Sequence, residues 1–146
     1  MIDGRVGSTV ADAASRSDHI NIAIAGGGLK ATSVLRLLGD VQGVTVVAVY
    51  DSNPVAPALR YADSAGIFTT TEISELYQIP DLHLILDLSG DTAMRATLET
   101  QRPTGVSVIF GAGAELVWDL LAAKKRSADQ EKTFVELQVA YEKIRS

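Results

Sequence analysis

No cysteine occurs among the 146 residues. Its absence excludes a disulfide framework, a thiolate nucleophile and a thiolate-held metal. Aromatic side chains are scarce, at 5% of the chain. The interior must therefore be filled by Ala, Val, Leu and Ile, which suits an α/β layer of small aliphatic side chains. No apolar run approaches the roughly 20 residues a membrane-spanning helix needs; the longest, Val44–Tyr50, stops well short. The opening Met1-Ile2-Asp3-Gly4-Arg5 lacks the basic-then-apolar layout of a secretory signal. Positive charge is in deficit too. Thirteen Lys and Arg against 18 Asp and Glu leave a net −5, so a general attraction to a nucleic-acid backbone is not expected. These absences leave a soluble, cytoplasmic protein of single-domain length.

What is present is a regular alternation. Residues 1–18 are small and polar without a period that would bury a face, and read as a flexible leader. From His19 onward short apolar runs alternate with helical patterns, the mark of βαβ units on a parallel sheet. The first strand is Ile20–Ala25. A helix over Leu29–Leu38 follows, its Ala31, Val34, Leu35 and Leu38 at i, i+3, i+4 and i+7, with Gly39 placed for a left-handed stop. Strand two is Val44–Tyr50, apolar on both faces. Then come a helix over 57–65, a short strand at Ile67-Phe68-Thr69, a helix over 72–78 with Thr71 as its cap, and strand four over Leu82–Leu88. Thr92–Gln101 is the next helix and Val106–Phe110 the fifth strand. The expected architecture is a Rossmann-like doubly wound parallel sheet, order 3-2-1-4-5, over residues 19–113, followed by a helix over 114–146.

The chemistry falls at the first strand–helix junction. Gly26, Gly28 and Ala31 satisfy G-x-G-x-x-G/A between a strand and a helix. Gly26 permits the tight turn, Gly28 lets a pyrophosphate approach the backbone, and Ala31 lets the helix pack close to the sheet. With Gly27, Leu29 and Lys30 they form the cofactor turn, whose helix aims free N–H groups and a positive dipole end at phosphate. Asp51 ends strand two, 25 residues past Gly26, where a carboxylate accepts hydrogen bonds from the adenosine ribose, with Ser52 beside it. No Arg follows closely, which favours NAD or NADH over NADP. The bland reading is that Asp51 merely starts the Asp-Ser-Asn-Pro turn. Ser89 and Gly90, after strand four, lie at the switch point where ligands sit; alternatively Gly90 bends the chain and Asp91 or Thr92 caps the next helix. Gly111-Ala112-Gly113 reads as a tight turn.

A catalytic group is not evident. His19 lies at the start of strand one, His83 reads as a half-buried or edge-packed imidazole in strand four, and no Ser/His/Asp set or metal-ligand cluster appears. Catalysis by this chain alone is not expected. The last helix carries a different signal. Leu116, Leu120, Ala123, Ser127, Gln130, Phe134, Leu137, Tyr141 and Ile144 alternate steps of four and three, a heptad seam weakened by its polar middle. Leu116, Val117, Trp118 and Leu121 are expected to fold back on the domain, and 130–146 to form a parallel coiled-coil homodimer. The seam still runs at Ser146, which reads as a piece of a longer protein.

Gly26-Gly27-Gly28, the Val46–Asp51 strand with Asn53-Pro54 and Ala56-Pro57, Gly66-Ile67 and the Leu84–Gly90 stretch resemble the NAD-binding Rossmann-type domains at the front of some bacterial signalling proteins, notably sensor histidine kinases. More distantly they resemble the cofactor domains of the glucose–fructose oxidoreductase and homoserine dehydrogenase groups. The resemblance spans about residues 19–125. It implies an NAD(H)-binding regulatory domain that dimerises and signals through its final helix to an output module such as a histidine kinase. The alternative is the cofactor-binding half of an NAD-dependent oxidoreductase; this chain departs from those enzymes in lacking their substrate domain and its catalytic lysine. A third reading is a dimerisation module with a vestigial site.

Overall fold

The computed structural model describes residues 19–145; within its last helix the side chains of 128–136 and 144–145 fall outside that description. The expected leader therefore lies outside the described residues. Five parallel strands form one sheet in the order β3-β2-β1-β4-β5. The strands are β1 (Ile20–Ala25), β2 (Val44–Tyr50), β3 (Phe68–Thr70), β4 (Leu84–Asp87) and β5 (Ser107–Ile109). The helices are α1 (Leu29–Leu38), α2 (Pro57–Ser64), α3 (Ile73–Leu76), α4 (Thr92–Gln101) and α5 (Gly111–Arg145). This is the doubly wound Rossmann-like arrangement the alternation of elements implies.

Both sheet faces are buried, which is why its strands read as continuous apolar runs. On one face Ile22 and Ile24 of β1, Val49 of β2 and Leu86 of β4 pack with Val34, Leu35 and Leu38 of α1, Leu59 and Ala62 of α2 and Ala114 of α5. On the other, Ala23 and Ala25, Ala48, Tyr50 and Ile85 pack with Leu76 of α3 and Leu98 of α4. The β1–β2 register slips between Ile22 and Ala23, so that Ile22 faces Val46 but Ala23 faces Ala48. Val47 and Ala48 consequently lie on the same side. A one-residue slip turns every later side chain over. It therefore sends Tyr50 to the α3–α4 side and Asp51 to the side where α1 begins.

Several boundaries differ from the pattern in the sequence. Gly39 stays in the right-handed helical region (φ −60, ψ −23), and the positive φ falls at Gly43. Thr71 does not cap the helix after β3. Instead Thr70 turns the chain, its hydroxyl accepting from the Glu72 N–H at 2.9 Å, and the helix shortens to Ile73–Leu76. α5 begins at Gly111 rather than 114, because Gly113 lets it start against β5: a Cβ there would lie 3.0 Å from Ile109 Cγ2.

The base of α5 seats on the domain through Ala114, Val117, Trp118 and Leu121. Leu116, expected on that face, is 58% exposed, and so is Leu120 at 61%. The two sets lie on opposite sides of the helix, since positions one and two apart do not share a face. The seam thus points away from the domain, and Leu137 and Tyr141 further along it are also exposed. The seam side chains at Gln130, Phe134 and Ile144 lie outside the described residues. No described helix is long and apolar enough to cross a membrane.

Candidate dinucleotide site

The site is built where β1 hands over to α1. Three glycines stand there for three different reasons. Gly26 has φ +106, and a Cβ on it would meet Ser89 N at 2.7 Å and Leu88 C at 2.9 Å; both the dihedral and the neighbouring backbone demand glycine. Gly27 is hemmed in by Ala56 Cβ at 2.8 Å and Asp51 Cβ at 2.9 Å. Gly28 is different. Its φ of −75 suits any residue and a Cβ on it would have nothing within 4 Å. Nothing in the packing of the described residues calls for a glycine there.

The hydrogen bonds sort these positions further. Gly26 N–H donates to Tyr50 O at 2.8 Å. Gly27 N–H donates to Asp51 Oδ2 at 2.6 Å, and Gly27 O accepts from Ala58 N–H at 2.9 Å. Neither amide is available to a ligand. The N-terminus of α1, by contrast, has no side-chain cap, and its first internal bond is Thr32 N–H to Gly28 O at 3.0 Å. The amides of Leu29, Lys30 and Ala31 before it therefore lack an intrahelical acceptor, as in any first turn, and the dipole adds positive potential. Leu29 is 76% exposed at the mouth and Ala31 is buried under the helix. Lys30 forms an ion pair with Glu115, one turn into α5.

Asp51 starts the turn, as its position suggested, and also holds the glycine corner. Oδ2 clamps Gly27, while Oδ1 accepts the Asn53 N–H at 2.7 Å and opens the turn. Each oxygen keeps a second lone pair, and the carboxylate stands against the glycine turn. Ser52 is exposed beside it. Beyond, a cleft of about 480 Å³ is lined by Pro54, Arg60, Asp63, Thr70 and Glu75; Arg60 shares it with two carboxylates. Across the turn, Ser89 is held by Asp87, its N–H and hydroxyl donating to Oδ1 at 2.9 and 2.6 Å. Gly90 has φ +68 and open space around it. Asp91, not Thr92, caps α4, its Oδ1 accepting from Ala93 N–H at 2.9 Å.

The structure thus brings Gly26, Gly27, Gly28, Asp51 and the Ser89 backbone together, and leaves Leu29, Ser52 and Gly90 on the open rim. It leaves the histidines apart. His83 is exposed rather than half-buried, its Nδ1 accepting from Asn21 N–H at 2.9 Å near the start of β1, while His19 Nε2 lies 2.9 Å from Thr45 Oγ1. Among the described residues no three His, Asp or Glu side chains are grouped to hold a metal. The sequence drew attention to Ala56 only through the resemblance and not as the wall of Gly27, and it gave no sign of Glu115, which reaches Lys30 from 85 residues away. Both contacts are tertiary and carry no local signal.

This geometry defines a class: a doubly wound Rossmann-like α/β domain with a bare, glycine-bounded helix N-terminus facing an acid on the neighbouring strand. No family model matches the chain, and no curated protein matches it. Solved structures do. GenD2 from gentamicin A biosynthesis, in complex with NAD, is 16% identical, with a TM-score of 0.50 over 63% of this chain and 26% of its own. An oxidoreductase from Agrobacterium radiobacter, in complex with NAD+, L-tartaric acid and magnesium, is 19% identical, with a TM-score of 0.55 over 76% of this chain and 33% of its own. At such identities the likeness is one of fold. The chain spans about a quarter to a third of the length of these two proteins.

Proposed function

We propose that residues 19–113 form an NAD(H)-binding domain that serves as the cofactor-binding half of an NAD-dependent oxidoreductase. The observation that carries the reading is Gly28: a glycine that neither backbone strain nor packing explains, set at an uncapped helix N-terminus. In this reading the pyrophosphate lies over Gly28 and takes hydrogen bonds from the amides of Leu29, Lys30 and Ala31. Asp51 accepts from the adenosine ribose hydroxyls with the lone pairs that Gly27 and Asn53 leave free, and Ser52, Ser89 and Gly90 line the rim. NAD(H), when bound, supplies the hydride chemistry; the chain's own residues bind and orient it. The oxidoreductase assignment draws support from the fold shared with two proteins solved with NAD.

A thermal-shift panel with NAD, NADH, NADP, ATP and S-adenosylmethionine tests this. NAD or NADH raises Tm, and NADP raises it less, because Asp51 repels a 2′-phosphate and the carboxylates of Asp63 and Glu75 offset Arg60. No shift with any dinucleotide overturns the reading.

A second reading is favoured by one observation, the Lys30–Glu115 ion pair that ties the phosphate turn to α5. Here the domain is regulatory. Dinucleotide phosphate competes with Glu115 for Lys30, and the change passes along α5, through a coiled-coil homodimer on its outward seam, to an output module such as a histidine kinase. Equal affinity in both helix arrangements would transmit nothing. Removal of 130–146 yields monomers by sedimentation in this reading, and dimers persisting after that cut refute it.

A further inference from the structure

Among the described residues one charged side chain is buried: Asp87, the last residue of β4, which is 4% exposed. Alternation along the strand turns it to the same face as Ile85, the apolar α3–α4 side. Its neighbour on β1 is Ala25, itself fully buried. A carboxylate in such a place is costly unless hydrogen bonds offset the lost water. No cation pairs with it among the described residues. Its partner is Ser89, whose N–H and hydroxyl both donate to Oδ1, at 2.9 and 2.6 Å. A turn by itself needs no buried acid: Asn53 and Asp91 each bind the amide two residues on from exposed positions.

What the Asp87–Ser89 bonds hold is the backbone on which the glycine corner rests. Leu88 N–H donates to Ala25 O at 2.8 Å, and Ser89 N would lie 2.7 Å from a Cβ on Gly26. The amide that Asp87 binds is thus the group that closes on the phosphate turn. The Ser89 hydroxyl is engaged as well. Its proton goes to Asp87 and its oxygen accepts the Asp91 N–H at 3.2 Å, so the side chain offers a phosphate no donor. Asp91 in turn caps α4. Side chains at 87, 89 and 91 therefore each bond the amide two residues on. The run is anchored in β4 at its buried end and finishes at a helix N-terminus that its own carboxylate fills, whereas α1 has no side-chain cap.

We propose that Asp87 is a positioning residue of the dinucleotide site. Acting through Ser89, it fixes the 88–89 backbone against Gly26 and so sets how closely a pyrophosphate approaches the α1 amides, without touching the ligand itself. This rests on the dinucleotide reading. The test titrates the full chain with NAD and with adenosine, well below the Tm of each variant, followed by amide chemical shifts; amide hydrogen exchange at Ser89 is measured without ligand. Asp87→Ala frees the Ser89 amide, speeds its exchange and weakens NAD by about tenfold, the worth of one hydrogen bond in the cradle. Asp87→Asn keeps the shape and an acceptor oxygen, so its loss is smaller; it carries the test if Asp87→Ala does not fold. Adenosine, which Asp51 holds, binds the variants and the unaltered chain alike, a split that a general loss of structure does not produce. NAD binding undiminished in both variants overturns the proposal and leaves the dinucleotide reading standing. NAD and adenosine weakened equally overturns it too, since the loss is then one of the fold. An unaltered chain that binds no NAD overturns both.

Discussion

Substituting the glycines of the turn one at a time separates the fold from the function. In Gly28→Ala the new methyl enters open space on a backbone that any residue adopts. The cost to folding is at most about 1 kcal/mol, since Ala is a poorer N-cap than Gly. The same methyl lies where a pyrophosphate must approach the α1 amides. Pushing the phosphates away weakens charge-assisted hydrogen bonds, each worth about 1.5–3 kcal/mol, so NAD binding falls by about 10- to 100-fold. Gly26→Ala reverses the pattern. Its φ of +106 and approaches of 2.7 and 2.9 Å to the Ser89 and Leu88 backbone place strain of roughly 1–3 kcal/mol on one residue and force the 88–89 loop to move as well. Thermal denaturation reads both effects. A ligand at one hundred times its Kd adds about 2.7 kcal/mol, roughly 8 °C in a domain of this size. Gly28→Ala keeps the unliganded Tm within a few degrees and loses about half or more of that increment at the same NAD concentration, whereas Gly26→Ala loses Tm before any ligand is added. A Gly28→Ala protein with an unchanged NAD midpoint would refute the placement of the phosphates.

Asp51→Ala removes acceptors from the Gly27 and Asn53 amides, so it lowers the denaturant midpoint by an amount equivalent to about 2 kcal/mol or more and abolishes the NAD shift; an unchanged midpoint would show that the clamp is idle. Tyr77 Oη is buried without a hydrogen-bond partner among the described residues, so Tyr77→Phe is neutral or stabilising by up to about 1 kcal/mol, measured by urea unfolding, and a clear loss of stability contradicts the structure. Alkali is destabilising. Burial first, then the Asp51 and Glu72 carboxylates, raise the Tyr50 phenol above its ordinary value, and burial first, then Tyr50, raises Tyr77. The folded state therefore holds these protons more tightly. This stabilisation is complete below about pH 10, the ordinary phenol value, and is lost as pH rises through the raised folded values. Melting curves between pH 9 and 12 show the fall, and a Tyr50→Phe, Tyr77→Phe double variant flattens it.

The order of elements was legible in the sequence because both-face burial leaves unbroken apolar runs and each helix carries its own period. The bounds of β1, α1, β2 and α4 were readable to the residue. What was hidden is what one element does to another. The slip opposite Ile22 decides which way Asp51 points, yet Val46-Val47-Ala48 reads as plain strand. The glycine triplet looked uniform, although Gly26 and Gly27 answer to loops from β4 and β2 and only Gly28 is open. The outward side of α5 followed from its heptad steps, but Leu116 could be assigned to the correct face only once Ala114 and Trp118 were seen to seat on the domain.

The glycine corner is a party wall. On one side the Leu88–Ser89 backbone rests against Gly26, and on the other Asp51 and Ala56 rest against Gly27. The segments after β2 and β4 are therefore mechanically linked through a third that belongs to neither. Neither segment can be lengthened, shortened or exchanged for that of another protein on its own merits: a graft that is faultless locally still has to leave the corner its clearance, and the damage from one that does not would surface at Gly28, where nothing had been altered.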